Sequence, residues 1–362
     1  MEPLWHRVPG GTARYTSELA AALAARSDTE VVGVAGRHRG RPSPPWEPTA
    51  DVRHMPWPRP ILYELWTRGA ASIDEVVGDV EVVHATCVIP PTTRRPLVVT
   101  VHDLAFTDPR TGSGRRAVAV MLRGWRVTLE RTSAVIAPSR TTADLLVAAG
   151  MAAERVHVVP EGAEGRPVGE DDRRAVRERY QLDRPFILTT GTVEPRKNLD
   201  GVLAAFGSVA RRRDIDLVVV GQDGWGADLR TMVDRSGAPA ERVRPLGFVP
   251  DLDLRALYSE ADVFCYPSWA EGFGLPVLEA MAQGAAVVTS SITATAEICG
   301  DAGLAVDPAN QARLTAAVAR LLDRPDERAE FGRRALVRAA RFTWERAAEG
   351  TRAVYDAVTA RS

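Results

Sequence analysis

The chain has 362 residues, of which 45% are hydrophobic and 26% charged, with a formal net charge of −1 at pH 7. That length accommodates two α/β domains with separate cores, and the near-neutral, evenly spread charge argues against nucleic acid as a partner. Cys87, Cys265 and Cys299 are few, odd in number and far apart, which excludes a disulfide framework and fits a reducing cytoplasm.

In chain order, the first strong pattern is a helix, GGTARYTSELAAALAAR, opening on Gly10 and Gly11. Strand candidates VVGVA (31–35), VEVVHA (80–85), LVVTVH (97–102) and AVIAP (134–138) alternate with helical stretches, which predicts a first parallel sheet. The proline-rich RGRPSPPWEPT (39–49) reads as a mobile surface loop. Residues 57–77, WPRPILYELWTRGAASIDEVV, place tryptophans and basic residues around an apolar helix. That helix fits either the core of the first domain or peripheral contact with a membrane. No apolar run reaches bilayer-spanning length, and no charged-then-apolar leader opens the chain. VHVVP (156–160) closes the first domain or begins the connection, and EGAEGRPVGEDDRR (161–174) reads as the linker. A second set of strands follows: FILTT (186–190), IDLVVVG (215–221), VRPLGF (243–248), DVFCYP (262–267) and AAVVTS (285–290). From residue 309 onward the pattern is mostly helical.

Three segments carry chemistry. In EGFGLPVLEAMAQGAAVVTS (271–290), Gly272 and Gly274 permit a tight turn, and Pro276 suits the first turn of the helix that follows. The amides at such a helix start form a seat for phosphate or sugar oxygens. Glu271 and Glu279 flank that seat, and carboxylates accept hydrogen bonds from sugar hydroxyls. In TGTVEPRKNLDGVLAAF (190–206), Glu194, Arg196 and Lys197 follow a strand, where open parallel sheets bind ligands. Lys197 is the only lysine in the chain, which marks a position suited to a compact point charge. An Arg-Lys pair there can clamp a leaving diphosphate, the task a metal ion performs in other transferases. In PLVVTVHDLAF (96–106), a buried-type strand ends at His102 and Asp103.

These segments, in this order and spacing, resemble family 4 retaining glycosyltransferases of the GT-B fold, in particular bacterial mannosyltransferases. GGTARYTSELAAAL, APSRTTADLL, VVPEGA and LGFVPDLDLRALYSEADVF extend the resemblance over nearly the whole chain. The resemblance implies two Rossmann-like parallel-sheet domains facing across a cleft. Residues 1–163, with 343–362 crossing back, would form the acceptor side, and 164–342 would bind the nucleotide sugar. It implies no cofactor and no metal, the nucleotide sugar being a substrate. Arg196 and Lys197 would hold the donor diphosphate. Glu271 and the amides of Phe273, Gly274 and Leu275 would hold the sugar. Glu279 would take the ribose hydroxyls, the backbone at Phe248 and Val249 the base, and Gly191 would line the same site. His102 would lie beside the donor sugar, and Gly10 and Gly11 would approach the diphosphate. The expected acceptor is a glycan or lipid-linked hydroxyl, and the expected location is the cytoplasm or the inner face of the membrane. GDP-mannose is the expected donor and UDP-glucose the alternative. A nucleotide-sugar epimerase, a phosphorylase and an inactive binding module are the competing readings.

Three further expectations complete the reading. Asp251-Leu252-Asp253 spells a metal-binding DxD, but its place before an amphipathic helix predicts helix capping. VVVGQDGWG (218–226) lacks the G-x-G-x-x-G spacing, which disfavours a dinucleotide-dependent oxidoreductase. The family resemblance also implies a central strand ahead of Gly10. MEPLWHRVP, with two prolines, cannot supply it, so the expectation is that this strand is missing and that translation starts upstream.

Overall fold

The computed structural model describes the chain apart from residues 7–9, 43, 45, 109–113, 223, 225–227 and 361–362. It divides into two compact units. Met1–Thr107, Gly114–Gly162 and Trp344–Ser362 make up the first, and Ala163–Thr343 with Asp108–Ser113 the second.

Among the described residues the first unit holds six parallel strands in two separate sheets, where the sequence predicts one. β1 (Val32–Ala35) pairs only with β2 (Asp51–His54). β3 (Val83–Ala85), β4 (Leu97–Thr100), β5 (Ala134–Ala137) and β6 (Val156–Val158) form the other sheet in that order. β2 escapes the sequence pattern because DVRH is short, charged and largely exposed at an edge. Leu62 and Trp66, on the helix Arg59–Arg68, are buried in this unit's core, so the apolar face of that segment is spent on packing. The last helix, Trp344–Thr359, belongs to the same unit; its Tyr355 hydroxyl lies 2.6 Å from Nδ1 of His84 on β3.

No strand precedes Gly10 among the described residues. Glu2–Trp5 instead form one 3-10 turn whose Leu4 is buried. The Met1 ammonium donates to the Val34 carbonyl at 2.7 Å, and the Glu2 carboxylate accepts from the Gly36 amide at 2.7 Å. A cavity of about 580 Å³ is lined by Gly33 and Val34 of β1, Val83 and Ala85 of β3, and Leu19 and Leu23 of the first helix. β1 and β3, each at an end of its sheet, therefore line one partly open cavity.

Among the described residues the second unit has one sheet of six parallel strands. β7 (Phe186–Thr190), β8 (Asp216–Val220) and β9 (Val243–Gly247) run outward in one direction. β10 (Val263–Tyr266), β11 (Val287–Ser290) and β12 (Leu304–Val306) run in the other, giving the order β12-β11-β10-β7-β8-β9. β7, β8, β10 and β11 are buried along their whole length, as expected when helices cover both faces of a parallel sheet. The strand order reverses between β7 and β10, and a sheet of this kind opens a crevice at the carboxyl ends of such a pair.

Asp253 corrects the capping expectation. Neither Asp251 nor Asp253 caps the helix Asp251–Glu260; its N-cap is Pro250, with no side-chain bond. Asp253 is buried and accepts from Arg179 at 2.6 Å and from the Tyr180 hydroxyl at 2.7 Å. It ties that helix to its neighbour. All three cysteines are free. Among the described residues no helix is long and apolar enough to cross a membrane.

Candidate active site

The loop after β7 is built by backbone geometry that few residues tolerate. Gly191 has φ of +122°, and its amide donates to the Val220 carbonyl at 2.8 Å. A Cβ on Gly221 would lie 2.0 Å from the Gly191 carbonyl oxygen, so β7 and β8 end in contact through glycine alone. One tight turn, Pro195–Lys197, then leads to Asn198, which caps the helix Leu199–Ala210 by accepting from the Gly201 amide. The Asn198 side chain also donates to the Pro267 carbonyl at 3.1 Å, and the Trp269 amide donates to the Arg196 carbonyl at 2.8 Å. These bonds stitch the β7 loop to the β10 loop.

That stitching brings Arg196 and Lys197 onto Glu271. Lys197 Nζ donates to Glu271 Oε1 at 2.7 Å and also to the Tyr266 hydroxyl. Tyr266 in turn donates to Glu271 Oε1 at 3.1 Å. Arg196 Nη1 lies 3.0 Å from the same Oε1 and donates to the Ala270 carbonyl at 2.9 Å. Its Nε and Nη2 grip Glu194 Oε1 at 3.1 and 2.7 Å. Two cations and two carboxylates thus neutralise one another in a largely buried cluster. Burial raises the proton affinity of Glu271, but Arg196 and Lys197 outweigh it and hold its pKa at about 2. Burial pulls the Lys197 ammonium below its ordinary value, an effect that Glu271 opposes without cancelling.

The glycine-rich turn follows directly. Gly274, with φ of +97°, is the N-cap of the helix Leu275–Ala282, and a Cβ there would lie 2.4 Å from Thr295 Cγ2. The first-turn amides of a helix have no partner within it and carry the positive end of its dipole. Phe273, Gly274 and Leu275 sit at this start. Glu279 lies one turn along, where Tyr258 donates to its Oε2 at 3.3 Å. Phe248 and Val249 follow β9; Val249 is buried, while the Phe248 ring is 61% exposed.

Gly10, Gly11 and His102 belong to the first unit. Gly10 is the extended N-cap of the helix Gly11–Ala24. Tyr15 of that helix sets its ring edge-on against His102, with centroids 4.7 Å apart. His102 follows β4; its Nδ1 lies 2.8 Å from Glu161 Oε1, and its Nε2 lies 3.1 Å from the Thr86 carbonyl oxygen. Sequence reasoning missed Glu161, which reads as the start of a linker yet is only 3% exposed. It also missed Tyr266, hidden in the apolar run DVFCYP; a hydroxyl in the last position of a buried strand was the available signal.

The profile of Glycosyltransferase Family 4 matches residues 9–164, and that of Glycosyl transferases group 1 matches residues 172–338. The chain belongs to the family 4 glycosyltransferases. It is 40% identical over 173 residues to O-antigen chain mannosyltransferase B of Escherichia coli, a match covering 47% of this chain and 45% of that protein. It is 30% identical over 290 residues to an MMP α-(1→4)-mannosyltransferase of Mycolicibacterium hassiacum, covering 74% of this chain and 66% of that one. The chain thus spans about half of the first relative and just under two thirds of the second. Among solved structures, Anabaena HepE in complex with UDP and glucose superposes with a TM-score of 0.77 at 19% identity, over 97% of both chains. The fold is GT-B.

Proposed function

We propose that this chain transfers a sugar from a nucleotide-diphosphate donor to a hydroxyl acceptor, with retention at the anomeric carbon and without a metal. The observation that carries the proposal is the convergence of Arg196, Lys197 and Glu271 at the reversal of strand order. Fixed cations beside a helix start suit a diphosphate, and a carboxylate among them suits sugar hydroxyls. In this reading Arg196 and Lys197 take the diphosphate beside Gly191. Glu271 and the amides of Phe273, Gly274 and Leu275 take the sugar. Glu279 takes the ribose, and the backbone at Phe248 and Val249 takes the base. In this reading His102 also serves the donor sugar, and Gly10 and Gly11 the diphosphate.

The reaction is front-face. The bond between the anomeric carbon and the phosphate oxygen breaks, and its electron pair stays on the phosphate. The acceptor hydroxyl attacks from that same face and gives its proton to the departing phosphate. Mannose from GDP-mannose is the favoured donor, since both relatives above bear mannosyltransferase names. UDP-glucose is the second reading, supported by the UDP and glucose in complex with HepE. The acceptor is a glycan or lipid-linked hydroxyl, which places the enzyme in the cytoplasm or at the inner face of the membrane.

The test is a panel of nucleotide sugars, with and without chelator, followed by NMR of the product. Release of GDP from GDP-mannose, unaffected by chelator and giving an α-linked product, is the expected result. A rearranged donor with no released nucleotide would identify an epimerase instead.

A further inference from the structure

His102 and His84 sit in the same unit and differ in one chemical respect. The two ring nitrogens of His84 face hydroxyls, Tyr355 at 2.6 Å and Thr100 at 2.8 Å. A hydroxyl can donate or accept, so a neutral ring satisfies both partners. The ring nitrogens of His102 face the Glu161 carboxylate and the Thr86 carbonyl, and both of these only accept. Each nitrogen must therefore carry a hydrogen, and a ring with two is an imidazolium. Turning the ring over would aim carbon atoms at both acceptors and lose both bonds.

From this donor–acceptor inventory we infer that Glu161 is a positioning residue that holds His102 as a fixed imidazolium. His102 then serves the transfer as an oriented positive charge and not as a base. The inference rests on the transfer proposed above for its consequence, but not for the charge state itself. A ring with no lone pair cannot take the acceptor's proton, which leaves that proton to the departing phosphate.

The surroundings agree. Glu161 reaches the ring from the segment after β6 and is almost fully enclosed, so its attraction is weakly screened. Burial by itself pulls the His102 imidazolium down, but Glu161, the Thr86 carbonyl and the neighbouring Asp103 together leave it above the ordinary histidine value. Tyr15 meets the ring from the first helix, and burial pushes its hydroxyl up, so it stays neutral. His84 faces it from β3; burial, with a smaller contribution from His102 itself, lowers His84 to about 3, so no second cation competes.

The experiment uses the full chain labelled with ¹⁵N-histidine, its His102 ring signals assigned with His102→Gln. At pH 7.5 both His102 ring nitrogens should carry hydrogen in the wild-type protein. Glu161→Gln keeps the shape, but its amide can donate to Nδ1, so the ring should become neutral at the same pH. A neutral wild-type ring would overturn the inference whatever the transfer assay shows. The second measurement is kcat/KM for transfer between pH 6 and 9. Wild type should keep its activity to higher pH than Glu161→Gln, whose profile should fall away earlier as the pH rises. Parallel profiles would overturn the role in transfer. Should no donor give transfer, the proposed function fails while the ring spectra still decide the charge state.

Discussion

Replacing Glu271 by glutamine removes one charge from the buried cluster and should destabilise the second unit in a pH-dependent way. In the native protein the Glu271 carboxyl titrates at about 2 against an ordinary 4.5, because Arg196 and Lys197 lie 3.0 and 2.7 Å away. A depression of that size stores about 3 kcal/mol at neutral pH. Breaking a buried pair by removing one partner gives a comparable figure, roughly 3–5 kcal/mol. The folded-state pKa is lowered, so the contribution is complete above the unfolded value of 4.5 and is lost as pH falls through about 2. Wild type should therefore unfold with about 3 kcal/mol more stability than Glu271→Gln at pH 7, and the two should converge as the pH approaches 2. Calorimetry across that range can separate the transitions of the two units. A difference below about 1 kcal/mol at pH 7, or one that persists undiminished at pH 2, would refute the assignment of the cluster as mutually neutralising.

The remaining predictions concern the same loops. Lys197→Ala should lower kcat by about 10²–10³-fold, as for loss of one charge-stabilising donor, and Lys197→Arg should be impaired as well. Wild-type turnover in the arginine variant would make the lone lysine a coincidence. Gly274→Ala should cost about 1–2 kcal/mol of stability from its φ of +97° alone, with a further penalty from the approach to Thr295, read by thermal melting. Glu271→Ala with azide should give no inverted glycosyl azide; its appearance by NMR would indicate a covalent glycosyl-enzyme in place of front-face transfer.

How much was legible depended on which physical signal a residue carries. Strands buried on both faces, such as FILTT and DVFCYP, announce themselves as unbroken apolar runs, and the loops after them follow from parallel topology. β12, only three residues with Ala305 exposed, carries too little apolar pattern to be read as a strand. Convergence of Arg196 and Lys197 on Glu271 was expected only through family resemblance. No spacing rule states that β7 and β10, with β8 and β9 between them in sequence, become neighbours. Asp253 misled because a carboxylate near a helix start predicts capping, while Arg179 and Tyr180, more than seventy residues earlier, supply stronger donors. Glu161 was illegible for a related reason. Its neighbours EGAEGRPVGEDD look solvated, and only the fold delivers it to His102.

The cluster also suggests why an arginine and a lysine are paired there. Arg196 is held from three sides, by Glu194, by the Ala270 carbonyl and by Glu271, so its planar fork is fixed before any ligand arrives. Lys197 makes two described bonds, to Tyr266 and Glu271, while an ammonium offers three hydrogens. In the proposed transfer an incoming diphosphate would meet that third hydrogen first and then compete with Glu271 for the others. Binding would then exchange one oxyanion for another, so the cations need no reorganisation as charge builds on the leaving phosphate. Glu271, released from the ammonium, would turn its lone pairs to the sugar hydroxyls. On this reasoning the buried ion pairs would be exchanged for donor contacts, with Tyr266 helping to keep Lys197 aimed. Tyr266→Phe should raise KM for the donor more than it lowers kcat, and an unchanged KM would place Tyr266 outside donor binding.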